Sequence, residues 1–339
     1  MIVVTGATGH IGNVLVRELL ARGKQVRALV LPSEDTGAIS GLDVDVVRGD
    51  ILDPDSLDRA FSGAEAVYHV AGLVVISPEQ EALVNRVNVE GTINVIAAVE
   101  RAGVKKLVYT SSIHSLVEPP KGRTIDESCG FDPNRSRGGY DRSKAHASLA
   151  VLNAAKRGLN AVIVCPTGVI GPYDYRVSIM GQVLLDLASG SLRAVPEGAY
   201  DFVDVRDVAI GHILACEKGR PGETYILSGE CITVANLGRV VDEVSGRRRI
   251  TRVRIPAWLA RVAAHVAMTV SALTRIPTRI TKYSIETLLS NCDISSAKAR
   301  RELGYSPRPL RDSISDSLRW FAEQRKARAV FSRQPGQLA

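Results

Sequence analysis

Cysteine is scarce and its spacing is uninformative: Cys129, Cys165, Cys216, Cys231 and Cys292 contain no Cys-x-x-Cys pair. Neither a disulfide framework nor a zinc knuckle is expected, no metal-ligand cluster stands out, and a reducing cytoplasm suits this usage. Room for a secretory leader is also lacking, because the chain opens directly on an apolar strand; a cytoplasmic location is the expectation. Long apolar runs are missing too. Residues 258–273 form the one membrane candidate, but the stretch is shorter than the roughly 20 residues a span requires, and Arg261 and His265 interrupt it. A pocket-lining or interfacial helix is expected there, with no transmembrane span and at most contact with a membrane surface. No aromatic residue interleaves Arg247-Arg248-Arg249, so the stacking platform of a nucleic-acid surface is absent and no nucleic-acid partner is expected. Internal repeats and low-complexity segments are absent as well.

What is present is an ordinary globular balance, 339 residues with 45% hydrophobic and 23% charged, long enough for a nucleotide-binding domain with a smaller partner domain. The net charge of +7 is uneven. From Arg239 onward there are 20 Lys and Arg against 8 Asp and Glu, so this segment carries +12 and the remainder −5. A solvated surface with a basic tail over 323–339 is the plain reading; an anionic substrate, a membrane surface or, weakened by the missing aromatics, nucleic acid is the alternative.

The chemistry begins at Thr5-Gly6-Ala7-Thr8-Gly9-His10-Ile11-Gly12. An apolar run precedes it and a helical pattern follows, so the glycines lie on a strand-to-helix turn whose free N–H groups and helix dipole suit a pyrophosphate. Gly6 permits the turn, Gly9 the approach of a phosphate, and Gly12 the packing of helix on strand. About 20 residues on, where an acid would mark NAD and an arginine NADP, Val30 and Leu31 stand instead. No Lys or Arg occurs from Ala28 to Val47 while Glu34, Asp35, Asp43 and Asp45 do, which favours NAD over NADP; Arg27 is the one cation expected to reach a 2′-phosphate. Asp50, beside Ile51 at the third strand end, is placed to accept from adenine or to cap a helix. The strand 66–71 ends in His69-Val70-Ala71-Gly72, small enough to approach a cofactor.

Strand and helix patterns then alternate for five units, with a helix over 81–102 carrying Asn85, Asn88 and Asn94, which predicts a parallel sheet covered on both faces. After the fifth strand, Lys106–Thr110, comes Ser111-Ser112, and further on Tyr140 and Lys144 stand one helical turn apart. A nearby ammonium would draw a phenol's pKa down towards working pH, and Ser112 at the strand end would hydrogen-bond a reacting oxygen. His114 is placed to touch substrate or to pack.

Taken together, the Thr5–Gly12 turn, Gly49-Asp50, His69–Gly72, Asn88-Val-Glu-Gly-Thr92, Tyr109–Ser112, Tyr140-x-x-x-Lys144 and Pro166-Thr-Gly-Val-Ile-Gly-Pro172 appear in the order found in the extended short-chain dehydrogenase/reductases, which this chain resembles from its first residue to about Pro172. The resemblance implies an α/β Rossmann-type doubly wound parallel sheet over 1–172 and about 205–228, with a smaller, mostly helical substrate domain over about 173–204 and 229–322. It implies NAD or NADP held by Gly6, Thr8, Gly9, His10, Ile11, Gly12, Arg27, Leu31, Asp50, Ile51, Ala71, Gly72, Tyr140, Lys144, Pro166 and Val169. Tyr140 would be the acid/base, Lys144 its activator and ribose ligand, Ser112 the carbonyl orienter and Asn88 a member of the water relay. Val74, His114, Thr167 and Tyr173 would face the substrate. A small-molecule substrate and a homodimer are expected.

Local departures choose among the family's reactions. Ile113-His114 stands where sugar-nucleotide dehydratases carry an Asp-Glu pair, and Ser115-Leu116-Val117-Glu118 departs from the Val-Tyr-Gly of many epimerases. The chain is nearer to dihydroflavonol reductase-like and 3β-hydroxysteroid dehydrogenase-like members, and the apolar helix over 256–273 suits the wall of a hydrophobic substrate site. An alcohol/ketone oxidoreductase is expected; a nucleotide-sugar 4-epimerase is the rival, and a dinucleotide-binding sensor or scaffold without turnover is the reading from another class.

Overall fold

Successive residues along a strand point to opposite faces, and here both faces are apolar. In the computed structural model, which describes residues 1–75, 78–246, 252–274 and 281–331, the first half of the chain runs β1 (Ile2–Thr5), α1 (His10–Ala21), β2 (Val26–Val30), β3 (Asp45–Arg48), α2 (Pro54–Phe61), β4 (Ala66–His69), α3 (Glu81–Asn85), a π turn (Arg86–Glu90), α4 (Gly91–Arg101), β5 (Lys106–Thr110) and α5 (Gly139–Lys156). It continues with β6 (Ala161–Pro166), β7 (Gly168–Ile170), α6 (Ile179–Ser189), β8 (Ala194–Pro196), β9 (Ala199–Asp204), α7 (Val205–Lys218), β10 (Thr224–Leu227), β11 (Glu230–Thr233), α8 (Val234–Val244), β12 (Val253–Ile255), α9 (Ala257–Thr274), α10 (Lys282–Leu288), α11 (Ala297–Leu303) and α12 (Leu310–Phe331).

Seven strands pair in the order β10-β6-β5-β4-β1-β2-β3, all parallel. Val3, Leu107, Tyr109 and Ile163 enter the layer formed by α2, α4 and α5, while their neighbours Val4, Val108, Val162 and Val164 enter the opposite layer with α1, α7 and α11. This is the expected Rossmann-type doubly wound sheet. Strand order reverses between β1 and β4, and the crevice this opens at the strands' C-terminal ends is where such sheets bind ligands. A second core joins α6, α8 and α12 to the small sheet β11-β9-β7, whose β9 extends from the segment that leads back into α7.

Several expectations are corrected. Cys231 at the edge of β11 and Cys292 after α10 form a disulfide across 61 residues; spacing along the chain did not show it because the fold, not local sequence, brings the two together. The argument from cysteine usage to a reducing compartment therefore does not stand. The helix expected over 81–102 is interrupted by the π turn at Asn88. The last helix runs to Phe331, so a helix occupies the start of the segment expected to be a basic tail; 332–339 and the Arg247-Arg248-Arg249 run lie outside the described residues. Finally, α9 does not present its large residues to the interior: Ala260 and Ala264 are the buried ones, packed on Ile285. Among the described residues no helix is long and apolar enough to cross a membrane.

Candidate active site

The glycine turn closes on the end of β4. Gly6 has φ +67°, and a Cβ there would lie 2.7 Å from the Ala71 backbone nitrogen; a Cβ on Gly12 would collide with the Gly6 carbonyl. These two positions therefore exclude any side chain. Helix α1 starts at Gly9 with no side-chain cap and no acid in its first turn, so its N–H groups stay open to an anion. His10 bonds the Pro172 carbonyl at 3.0 Å, and burial lowers its pKa so that it adds no charge.

Behind the turn runs a chain of hydrogen bonds that sequence reasoning missed. The Ala71 N–H donates to Thr5 Oγ1 (3.1 Å), Thr5 meets His69 Nδ1 (2.9 Å), His69 Nε2 meets Thr92 Oγ1 (3.0 Å), and Thr92 donates to the Asn88 carbonyl (2.6 Å). Because Thr92 spends its proton on Asn88, His69 must donate through Nε2 and accept at Nδ1; the tautomer is assigned from the network. Burial, reinforced by the Lys144 charge, drives the His69 pKa down to about 3.

At the end of β2, Leu31 is exposed and offers a flat wall, with its N–H donated to Glu34 Oε2 (3.2 Å). Arg27 does not reach this place: its guanidinium is held by Asp45 (2.7 Å) and by the carbonyls of Ala60 and Ser62. The cations that do arrive are Arg48, donating to the carbonyls of Leu31 (3.0 Å) and Glu34 (2.7 Å), and Arg176, which donates to Thr8 Oγ1 (3.1 Å) and to Glu34. Burial pushes the Glu34 carboxyl up, but the Thr8 and Arg176 hydrogen bonds outweigh it and the pKa falls. Asp50 accepts from its own turn at Leu52 N (2.9 Å), while the cap of α2 is Asp53, which accepts from Asp55 N; Ile51 is buried against Gly91.

The catalytic candidates converge where β5 ends. Ser112 Oγ accepts the His114 N–H (3.2 Å) and stands near Tyr140, whose pKa it lowers against burial. A hydroxyl chain of Ser111, Ser115 and Ser148, at 2.9 and 2.7 Å, fastens this strand end to α5, one turn beyond Lys144. Lys144 Nζ donates to the Thr110 carbonyl (2.8 Å) over the Tyr109 ring, and a Cβ on Gly72 would lie 3.1 Å from it. Asn88 accepts from Leu73 N (2.7 Å) and donates to Leu73 O (3.0 Å) and Ser143 Oγ (2.9 Å), so it clamps the backbone beside Gly72. Burial lowers the Lys144 pKa to about 8. Contrary to expectation, the phenol of Tyr140 is not drawn down: burial pushes it up to about 12 against the influence of Ser112, because the ammonium rests on Thr110.

Beyond Ser112, His114 Nε2 bonds Tyr200 OH at 2.6 Å with the rings stacked, and Tyr283 meets His114 edge-on. Burial, then the Arg137 charge, hold the His114 pKa down to about 4. Tyr283 OH donates to Asp141 Oδ1 (2.6 Å), next to Tyr140. Val74 is exposed at the rim. Thr167 and Tyr173 are otherwise engaged: the Thr167 hydroxyl donates to Asp201 (2.6 Å), and the Tyr173 ring lies under Arg17 and beside Trp320. Pro166 and Val169 pair with Leu227 and Val203 in their sheets.

An uncapped helix N-terminus, a turn that admits no Cβ and an acid at the end of β2 fit a dinucleotide, with the diphosphate on α1 and the adenosine ribose beside Glu34. The comparisons agree with that fit. Residues 2–228 match the model of the NAD dependent epimerase/dehydratase family. The chain is 38% identical to sterol demethylase protein B of Methylococcus capsulatus, covering 95% of this chain and 98% of that protein. It is 32% identical to a putative dihydroflavonol 4-reductase of Synechocystis, covering 94% and 93%. The solved structure of gox2253 superposes with a TM-score of 0.84 at 36% identity, covering 96% and 98%. The chain belongs to the NAD dependent epimerase/dehydratase family and is one of its NAD(P)-dependent oxidoreductases.

Proposed function

We propose that this protein interconverts a secondary alcohol and a ketone on a largely apolar, cyclic substrate of sterol or flavonoid type, with Ser112, Tyr140 and Lys144 as its working residues and NAD as the preferred cofactor. The observation that carries the reading is the state of Ser112. Its oxygen accepts the His114 N–H, which fixes the orientation of its hydroxyl, and Tyr140 stands near it, so an incoming oxygen would meet both hydroxyls. Bound nicotinamide supplies or removes the hydride. In the reductive direction Ser112 and Tyr140 both donate to the carbonyl oxygen as it becomes an alkoxide, and Tyr140 yields its proton to it. Lys144, buried beside Gly72, would hold the ribose, and its charge would favour the phenolate once it left the Thr110 carbonyl. Ile113 and His114 provide no acid for elimination, and burial keeps His114 neutral. Names of relatives that mention sterol and dihydroflavonol support the substrate class.

The test joins two measurements. Tyr140→Phe is expected to lower turnover by about 10²–10⁴ while NADH affinity changes less than twofold; wild-type activity in the variant would refute the mechanism. With ring ketones of sterol and flavonoid type the wild-type protein is expected to consume NADH stoichiometrically. Turnover of a UDP-sugar without net cofactor change would instead assign the epimerase reaction.

A further inference from the structure

Helix α9 is built inside out. Its buried side chains are the small ones, Ala260 and Ala264, whereas Trp258 (65% exposed), Leu259 (38%), Val262 (52%), Val266 (55%) and Val270 (51%) face outward. At about 100° per residue these five fall within an arc of about 120°, so they make an apolar stripe, broken by Thr269, whose hydroxyl donates to the His265 carbonyl. Val253, just ahead in β12, is 64% exposed as well. A helix facing water would carry polar residues on that arc. Along the sequence the charge of this segment is of one sign: from Val244 to Ile285 there are nine Lys and Arg and no Asp or Glu; among the nine, the Arg252 side chain is buried and paired with Asp242. Among the described residues, Arg254 is exposed, and Arg261, paired with Glu286 across the helix border, flanks the stripe.

We infer that α9 seats the protein in the plane of an anionic phospholipid surface, with the stripe in the headgroup and acyl boundary and the cations over the lipid phosphates. Charge complementarity selects this occupant over a second copy of the chain. A two-fold interface sets the same patch against itself, which would bring two segments of net positive charge together. α9 is also coupled to the site, because α10 packs on it through Ile285 and carries Tyr283 onto Asp141. A bilayer surface is where an apolar ring substrate is held, a consequence that rests on the proposed function; the docking itself does not.

The test uses the full chain and needs no turnover. The protein is mixed with vesicles of phosphatidylcholine, alone or with phosphatidylglycerol, and followed by flotation and tryptophan emission. Of the two tryptophans, Trp320 is 9% exposed, so a blue shift reports Trp258. Flotation with the phosphatidylglycerol vesicles, weakened by salt and accompanied by a blue shift, is expected. The variant W258S/V262S/V266S is expected to lose at least tenfold in vesicle affinity at unchanged melting temperature; if it fails to fold, Trp258→Ser alone serves, with a smaller loss expected. Absence of flotation, equal flotation with neutral vesicles, or full affinity in the variants would overturn the proposal. So would a dimer in light scattering that the triple variant dissociates, which would assign the stripe to a second copy.

Discussion

Asp141, the neighbour of Tyr140, is buried, and burial raises its pKa to about 6 despite the Tyr283 hydroxyl and the Arg137 charge that favour its ionised form. A carboxyl raised in the folded state contributes stability in full below its unfolded pKa, near 4, and loses it as the pH rises through 6. Asparagine keeps an acceptor for Tyr283 without that loss. Asp141→Asn is therefore expected to be more stable than the wild type at pH 8, by up to about 3 kcal/mol, and no more stable at pH 4. Denaturant unfolding at the two pH values measures this, and equal midpoints at pH 8 would contradict it. At this scale the sequence revealed residue identities but not their states. Tyr140 and Lys144 share a helix face as their spacing requires, yet Lys144 rests on the Thr110 carbonyl, a partner 34 residues away that no local pattern announces.

Among elements, the loops that meet at the end of β2 gather Glu34, Arg48 and Arg176 into one cluster. Glu34 stands there with its charge favoured, and a 2′-phosphate would have to share the place with it, although Arg48 and Arg176 are within the same cluster. Glu34→Gln is expected to shift the NADPH-to-NADH affinity ratio towards NADPH by roughly tenfold, or ~1.4 kcal/mol. Fluorescence titration with both cofactors would show it, and an unchanged ratio would remove Glu34 from cofactor choice. The limits of β5 were legible to the residue because apolar period and end signals are local. Arg176 was not, since it reaches Thr8 across 168 residues, and the absence of cations from Ala28 to Val47 hid Arg48 just beyond the window. The π turn at Asn88 was equally hidden, because so short a widening leaves the helical period of its flanks intact.

For the whole molecule, the Cys231–Cys292 link ties the small sheet to the segment that follows α10. Closing 61 residues stabilises by about 4 kcal/mol in the chain-entropy view, which in a chain of this size corresponds to about 5 °C in melting temperature. Cys231→Ser, or a phosphine reductant with the wild type, is expected to lower the midpoint by that order in calorimetry; a reductant without effect would mean the link adds no stability. The parallel sheet was legible from five repeated strand and helix units, whereas this link, and the outward turn of α9, depend on how distant segments dock.

The line of hydrogen bonds from Ala71 through Thr5, His69 and Thr92 to Asn88 has every proton assigned to one direction, and its only titratable member stays neutral down to about pH 3. Such a line has no second setting to switch into. It acts as a keel joining the glycine turn to the clamp beside Gly72, so the two edges of the crevice keep one spacing and neither can shift without the other.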